Sequence, residues 1–443
     1  MEIVIVGGGI VGTAIASRLG PTDHDVTLVE RSSVGGETTA ASAGIVMRSA
    51  VSPDPTTLSL RERSRSIYDE LFDTGAVDST RTGTLYVAET EAFADRLADA
   101  ARVLPEHGIE ARVVDGEDLE QLGIDPGALT HLKGDSRTLE QPGDDTGTPE
   151  QPGDDPEATD RNAVDAVGAI RALYTPDDQL CEPVDLSTWF ADRARECGVG
   201  IRTGETVTAV ETRSSSVSSV ETDHDRLEAD AVVNAAGPWA PALNAMVGVS
   251  LPLRHTLGPM VELEGDGSVD HPVTILESKR YVRPVSASMG SRSSEPESEM
   301  ERSSGRSDAE RSSSTERSSG PDTGRVWVGK YETAYGDGHR YDPDDVAVPA
   351  SFRDSAPAMA TLAGLEDPSI VDEWVGLRTV TPDGLPLVGE TDVSGFVVAC
   401  GMTGQGITVA PAVADVVKAV LEEPDDGDDF DRTLLEALSP DRF

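Results

Sequence analysis

The sequence predicts an α/β fold whose first element is a dinucleotide-binding β-turn-α unit. Three observations carry this: a Gly-x-Gly-x-x-Gly turn at Gly7, Gly9 and Gly12, apolar segments of different period on its two sides, and a second strand that ends in an acid. Glu2 to Val6 reads as a short buried strand, and Ile10, Val11, Ala14, Ile15 and Leu19 recur at helical spacing after the turn. Gly7 permits the tight turn, Gly9 lets a pyrophosphate approach the backbone, and Gly12 lets helix and strand pack closely, so the helix N-terminus faces the phosphates. Val26 to Val29 form the next strand and deliver Glu30. Its carboxylate can accept hydrogen bonds from both hydroxyls of a ribose and would repel a 2′-phosphate. A glycine-rich surface turn could carry the same glycines, but not with strand, helix, second strand and acid in register.

Further along, Thr84 to Ala88 reads as a strand and Glu91 to Val103 as a helix. Leu186 to Cys197 is an amphipathic helix, and Val199 to Val210 follows as strand and turn. Ala229 to Ala236 is a buried strand ending in Gly237-Pro238-Trp239-Ala240. Lys279 to Val285 and Arg325 to Gly329 read as a β-hairpin with an expanded turn, Gly395 to Ala399 as a strand, and Ile407 to Leu421 as a helix with Val409, Val413, Val416, Val417 and Val420 on its apolar face. Two segments lack the apolar residues a core requires. Residues 134–162 are acidic and contain Glu140-Gln141-Pro142-Gly143-Asp144-Asp145 with a copy starting at Glu150, and residues 286–324 are Ser-rich with Glu-Arg-Ser-Ser recurring at Glu301, Glu310 and Glu316. Both are expected to be disordered acidic or Ser-rich inserts in a folded frame.

At 443 residues the chain is long enough for two or three domains. Its 36 basic and 81 acidic residues give a formal charge of −45, which disfavours nucleic acid and anionic lipid as partners. Only Lys133, Lys279, Lys330 and Lys418 among the bases are lysines, and the acids are spread along the whole chain. That distribution favours a solvated surface adapted to concentrated salt, a halophilic character, over one functional acidic face. Cys181, Cys197 and Cys400 show no paired spacing, so neither a disulfide framework nor a metal site is expected. No secretory signal and no run approaching 18 apolar residues are present, and a cytoplasmic protein without a membrane span is expected.

Downstream of Glu30 the run Glu37-Thr38-Thr39-Ala40-Ala41-Ser42-Ala43-Gly44-Ile45 suits a loop that wraps a diphosphate. The stretch from Trp374 through Gly376-Leu377-Arg378 to Gly389, then Ala399-Cys400-Gly401-Met402-Thr403-Gly404-Gln405-Gly406-Ile407, joins Asn234-Ala235-Ala236-Gly237-Pro238-Trp239-Ala240 in a distinctive order. With the opening motif, these strongly resemble the FAD-dependent D-amino-acid oxidase superfamily, in particular its glycine oxidase, sarcosine oxidase and D-amino-acid dehydrogenase branches. The resemblance implies a fold that is α+β overall, with a Rossmann-type FAD-binding domain interleaved with a substrate domain built on a large antiparallel sheet. Residues 1–80, 170–250 and 370–430 would form the first, residues 81–133 and 251–369 the second, and 431–443 a C-terminal tail.

The same resemblance assigns Gly7, Gly9, Gly12 and Glu30 to pyrophosphate and adenosine ribose, Thr38, Thr39, Ser42 and Gly44 to diphosphate and ring, and Val207 to adenine. Gly404 to Ile407 would set a helix N-terminus near the flavin pyrimidine edge. Ile10, Val11, Arg31, Ala43, Ala236, Gly237, Trp239, Gly401, Gln405, Gly406 and Thr408 complete the expected cofactor-binding set. Arg378 matches the arginine that binds the substrate carboxylate, a bidentate task for a guanidinium, with a domain-bridging ion pair as the competing reading. Tyr281 matches a tyrosine covering the substrate, with simple packing as the competing reading. Gly376 stands where sarcosine-oxidase relatives carry a flavin-linked cysteine, and no histidine lies from Thr38 to Gly44, so FAD is expected to be non-covalent. Trp327 aligns with a lysine that those relatives place above the flavin, and Leu257-Gly258-Pro259 replaces a usual Arg-Gly-Gln.

These features imply hydride removal from the α-carbon of a small carboxylate-bearing amine, an amino acid or N-alkyl amino acid, to give an imine, with dioxygen or another electron acceptor. His255 could assist, although no general base is required. Two alternatives remain: oxidation of a 2-hydroxy acid or polyol phosphate, and service as an FAD-binding subunit beside partner subunits. The charge makes a separate prediction. Because about 1 M salt shrinks the screening length to ~3 Å, thermal unfolding midpoints are expected to rise with KCl into the molar range, and equal midpoints in dilute and concentrated KCl would refute the high-salt reading.

Overall fold

The computed structural model describes residues 1–52, 54–129, 170–285, 323–422 and 430–443. Its six-stranded sheet runs Leu387–Glu390, Phe396–Cys400, Ala231–Asn234, Glu2–Val6, Asp25–Glu30, Gly200–Thr203, with every pair parallel except the first. Alternate residues feed opposite layers. Ile3 and Ile5 stand in register with Ala231 and Val233 and join the core formed with helices Ile10–Leu19, Pro183–Glu196 and Gly406–Glu422, whereas Val4 and Val6 face the opposite side with Val232. That second side is covered by the meander Val207–Arg213, Ser216–Thr222, Arg226–Glu228 and by the short helix Ala240–Met246. Helix Ile10–Leu19 lies between the other two large helices. Gly12 lets the start of this helix lie against the glycine turn, since a Cβ there would collide with the Gly7 carbonyl oxygen.

An eight-stranded sheet has the order Glu366–Val380, Arg254–Asp266, Thr323–Lys330, Arg280–Pro284, Val273–Leu276, Thr84–Val87, Ala172–Thr175, Arg112–Val114. It is antiparallel except where Val273–Leu276 runs parallel to Thr84–Val87. Arg280–Pro284 and Thr323–Lys330 form the expected hairpin, with Tyr281 opposite Gly329. Leu85, Val87, Val261, Val282, Val326 and Val328 pack on one face against helix Ala350–Leu362, and Tyr86, Met260, Ile275 and Tyr281 lie on the other. A small sheet of Ile45–Val46, Gln179–Cys181 and Ser79–Arg81 connects this region to the dinucleotide unit.

Several elements depart from the sequence reading. Helix Pro55–Asp73 was not expected, because Arg, Ser and Glu interrupt its apolar face. Asp54 starts it by accepting a hydrogen bond from Thr57 N at 2.9 Å, with Pro55 in the first turn. Tyr68 on this helix donates to the Ile407 carbonyl. The helix expected from Leu186 begins three residues earlier, at Pro183, where proline suits the first turn. The expected insert 134–162 lies outside the described residues, as does 286–324 up to Thr323, where a strand begins. Residues 433–438 form a helix, and Arg442 reaches Asp383 at 2.8 Å and the carbonyls of Leu385 and Pro386 at 2.9 and 3.0 Å, which fastens the last residues to the strand Leu387–Glu390.

Candidate active site

At the end of the first strand Gly7 adopts a φ of +111°, and its N–H donates to the Val29 carbonyl at 2.9 Å. A Cβ at Gly7 would collide with the Ala235 carbonyl, so the turn passes between two strands where only glycine fits. Gly9 caps the following helix without a side chain, and the free Ile10 N–H is met by Thr39 Oγ1 at 3.0 Å. Glu30 is buried at 7% exposure and accepts from Gly8 N at 2.6 Å and from Ser32 N at 2.8 Å. The carboxylate therefore braces the glycine turn as well as facing the cavity beyond it. Arg31 next to it stacks over Trp239 at 3.9 Å and pairs with Asp344 at 2.9 Å and Glu37 at 3.2 Å. Trp239 Nε1 also donates to Asp344, and the hydrogen bond from Arg31 holds the Asp344 carboxyl below its ordinary pKa.

At the other end of the cavity the side chain of Arg378 passes over two glycines. A Cβ at Gly258 would lie 2.5 Å from Arg378 Nη1, and one at Gly404 would lie 2.8 Å from its Cδ. Nη1 donates to the carbonyls of Leu257 at 3.2 Å and Lys330 at 3.3 Å, and Tyr331 lies with its ring centroid 5.8 Å from the guanidinium. Burial lowers the arginine's pKa and raises that of Tyr281 and of Tyr331, the last to about 12. The guanidinium stays charged and both phenols stay protonated through the neutral range. Tyr281 OH donates to Met260 Sδ at 2.7 Å, and its ring lies 6.2 Å from Tyr331.

These two ends belong to one cavity of about 760 Å³, within the size range of small-molecule sites. Of the expected site residues, only Gly12 does not line it; that glycine sits behind the turn as a packing contact. Gln405 and Thr408 line the cavity but also hold protein partners, Gln405 accepting from Arg61 at 2.8 Å and Thr408 Oγ1 accepting from Met47 N at 3.2 Å. Trp327 is placed differently from the lysine it aligns with. It shares a sheet face with Tyr281 but is 1% exposed, beneath the Arg283 guanidinium at 3.6 Å and edge-on to Trp374 at 4.9 Å, and does not line the cavity. His255 is also off the cavity, its ring 3.3 Å from Thr379 Oγ1. Sequence reasoning missed Arg61, Tyr86 and Tyr331 on the cavity wall and Asp344 at its rim. Arg61 was obscured by the charged run Arg61-Glu62-Arg63-Ser64-Arg65, which hides the apolar spacing of its helix.

A mostly parallel sheet with a glycine turn, an acid at the end of the second strand and a long cavity reaching a buried arginine marks a dinucleotide-binding protein. A family profile described as FAD dependent oxidoreductase matches residues 2–140 and 147–419, and the chain belongs to that family. The glycine oxidase of Geobacillus kaustophilus is 24% identical over 441 residues, 95% of this chain and 93% of that one. The mitochondrial dimethylglycine dehydrogenase of Homo sapiens is 25% identical over 255 residues, and the match spans 57% of this chain and only a quarter of that relative's length. Among solved structures, L-proline dehydrogenase from P. horikoshii superposes with a TM-score of 0.73 at 18% identity, covering 100% of this chain and 97% of that one, which shows the shared fold. The glycine cradle fits the cofactor named in the family's description, since side chains there would fill it. Among the described residues no helix is long and apolar enough to cross a membrane.

The geometry separates two kinds of contact at the Glu30 end of the cavity, where the ribose is expected. Glu30→Ala removes a buried charged acceptor worth about 1.5–3 kcal/mol, so FAD binding to the apoprotein is expected to weaken roughly 10- to 150-fold. Asp344→Asn loosens only a rim ion pair, worth about 0–1 kcal/mol, and is expected to change the Kd by less than about fivefold. Flavin fluorescence titration measures both, and equal effects would remove Glu30 from the ribose site.

Proposed function

We propose that the protein oxidises a small amino acid or N-alkyl amino acid, of the glycine, D-amino-acid or sarcosine type, to an imine that water hydrolyses. The observation carrying this reading is Arg378, a buried guanidinium on the cavity wall that is bonded to two main-chain carbonyls and to the Tyr281 hydroxyl and is paired with no carboxylate among the described residues. A planar cation presented this way matches a substrate carboxylate. Bound FAD supplies the acceptor for the two electrons removed. The chain's own residues do the rest. Arg378 and the protonated Tyr281 and Tyr331 hold the carboxylate end, and Met260 and Ile275 form apolar wall that limits water. The helix from Gly406 turns its positive end toward the cavity, which favours negative charge there.

The glycine turn, Glu30 and the loop Thr38 to Gly44 would hold the dinucleotide, with residues 1–80, 170–250 and 370–430 as the cofactor domain. The charge of −45 supports a salt-rich cytoplasm as the setting. Electron transfer to dioxygen or to another acceptor is separated by comparing turnover in air with turnover on an artificial acceptor under anaerobic conditions.

Anaerobic flavin bleaching with glycine, sarcosine, proline, D- and L-amino acids and 2-hydroxy acids tests the reading directly; bleaching by hydroxy acids alone would overturn it. For the substrate found, Arg378→Ala is expected to cost about 2–5 kcal/mol, or roughly 30- to several-thousand-fold in kcat/KM. Tyr281→Phe is expected to cost only about 1 kcal/mol. Full activity of Arg378→Ala with FAD retained would remove the carboxylate site. Because Gly376 offers no thiol, acid denaturation is expected to release all FAD, and flavin fluorescence remaining on the protein band in a denaturing gel would contradict this.

A further inference from the structure

Lysine is the scarce base of this chain, four of its 36 basic residues, and two of the four meet on one carboxylate. Lys279 Nζ donates to Glu332 Oε2 at 2.8 Å, and Lys330 Nζ lies 3.2 Å from Glu332 Oε1, so each oxygen has its own ammonium. A guanidinium takes both oxygens of a carboxylate at once, whereas two compact point charges can share them. Burial works to raise the Glu332 pKa, but the hydrogen bonds from Lys279 and Lys330 hold it below its ordinary value, and the clamp is fully ionic at neutral pH. Lys279 holds a φ of +65°, a conformation that glycine adopts without strain and L side chains rarely take. Glycine in that turn would supply no ammonium.

Glu332 does not line the cavity, but its neighbours on both sides, Tyr331 and Thr333, do. The main chain here lies just past the strand Thr323–Lys330 and is tied at three points. Tyr331 N donates to the Lys279 carbonyl at 3.0 Å, the Glu332 carbonyl accepts from Thr256 Oγ1 at 2.6 Å, and the Lys330 carbonyl accepts from Arg378 Nη1 at 3.3 Å. Thr256 in turn stands opposite Arg378 in the sheet register. The carbonyl that orients Arg378 and the ammonium that grips Glu332 thus belong to one residue, Lys330.

We propose that Glu332 is a positioning residue of the carboxylate site: clamped between Lys279 and Lys330, it fixes Tyr331 and the Lys330 carbonyl, and through them sets Arg378 toward the substrate carboxylate. This rests on the amino-acid reading given above. None of the three clamp side chains lines the cavity, so their effect on a ligand passes through the groups they hold. Both ion pairs are partly exposed and each is worth little alone. Charge by itself would act the other way, since removing the Glu332 anion and freeing two ammoniums favours an anionic ligand. The sign of the effect therefore separates positioning from the general field.

The test uses the FAD-loaded enzyme with butyrate as an inert carboxylate probe, its binding read by perturbation of the flavin absorbance. Glu332→Gln keeps the shape of the side chain and releases both lysines, and is expected to weaken butyrate binding roughly three- to tenfold with FAD content unchanged. Lys279→Met is expected to lose part of that affinity and Lys279→Arg, which keeps an ion pair, to retain most of it. In a Tyr331→Ala background Glu332→Gln is expected to cost less than it does alone, because Tyr331 is one of the groups it sets. For the substrate found by bleaching, the loss is expected in KM, with kcat within about twofold of wild type. Butyrate binding that is unchanged or tighter in Glu332→Gln would overturn the proposal, as would a fully additive loss with Tyr331→Ala. If Glu332→Gln sheds FAD or fails to fold, the two Lys279 variants decide: equal butyrate affinity in both, or loss of FAD from both, would overturn it. Butyrate binding that depends on Arg378 but not on Glu332 would leave the amino-acid reading standing and remove only the clamp. Absence of any Arg378-dependent butyrate binding would remove both.

Discussion

The passage of Gly7 beside Ala235 is the contact on which the rest of the cavity depends. Here the chain leaves the central strand of a parallel sheet, and any side chain would strike the neighbouring carbonyl. Because the turn is that tight, helix Ile10–Leu19 can lie close enough for Gly12 to touch the Gly7 carbonyl, and its N-terminus opens into the groove rather than into a wall of side chains. Glu30 then closes the turn from the side through Gly8 N. The loop from Glu37 to Gly44 is drawn over the same point by the Thr39 hydroxyl, and Trp374 Nε1 pins that loop to the large sheet through the Ala41 carbonyl at 3.1 Å. One steric restriction at residue 7 thus aligns two sheets around a common cavity.

A second restriction acts where Arg378 enters. The chain is strongly acidic, so the ordinary fate of an arginine in it is a surface ion pair, as with Arg353 and Glu373. Arg378 and Arg61 escape that fate by different means. Arg378 is threaded over Gly258 and Gly404, which lack the side chains that would block it, and is anchored to carbonyl oxygens that cannot neutralise it. Arg61 is held by the neutral amide of Gln405. Positive charge is conserved inside a negative shell because its partners are dipoles.

What the sequence made legible follows from this. The opening strand, turn, helix and acid are local features, each dictated by a side-chain period or by the absence of a Cβ, and they fall where they were expected. Helix Glu91–Val103 also falls where it was read, and the structure adds that Thr90 caps it. Arg61, Tyr86 and Tyr331 were not readable, because their place on the wall depends on which strands become neighbours and in what register. The parallel pairing of Thr84–Val87 with Val273–Leu276 joins segments nearly 190 residues apart, and no local pattern announces it. Trp327 illustrates the same limit: it was expected above the flavin, and in the structure it packs on the Arg283 and Trp374 side chains and does not line the cavity. Gly404, expected for the cofactor alone, also provides passage for Arg378, a role visible only once strand and helix meet.

The strand order carries a consequence for how the protein is made. Glu2–Val6 leaves the ribosome well before its neighbour Ala231–Asn234 and the next strand, Phe396–Cys400, which follow some 225 and 390 residues later. At translation speeds of ~5–20 residues per second, the opening strand waits roughly 20–80 seconds for the segment that completes its sheet. During that interval the apolar faces of Ile3, Ile5 and helix Ile10–Leu19 lack the covering supplied by Gly406–Glu422. Cofactor capture is therefore a late event in the life of the nascent chain, and its early half must be kept from association by chaperones or by its own abundant negative charge.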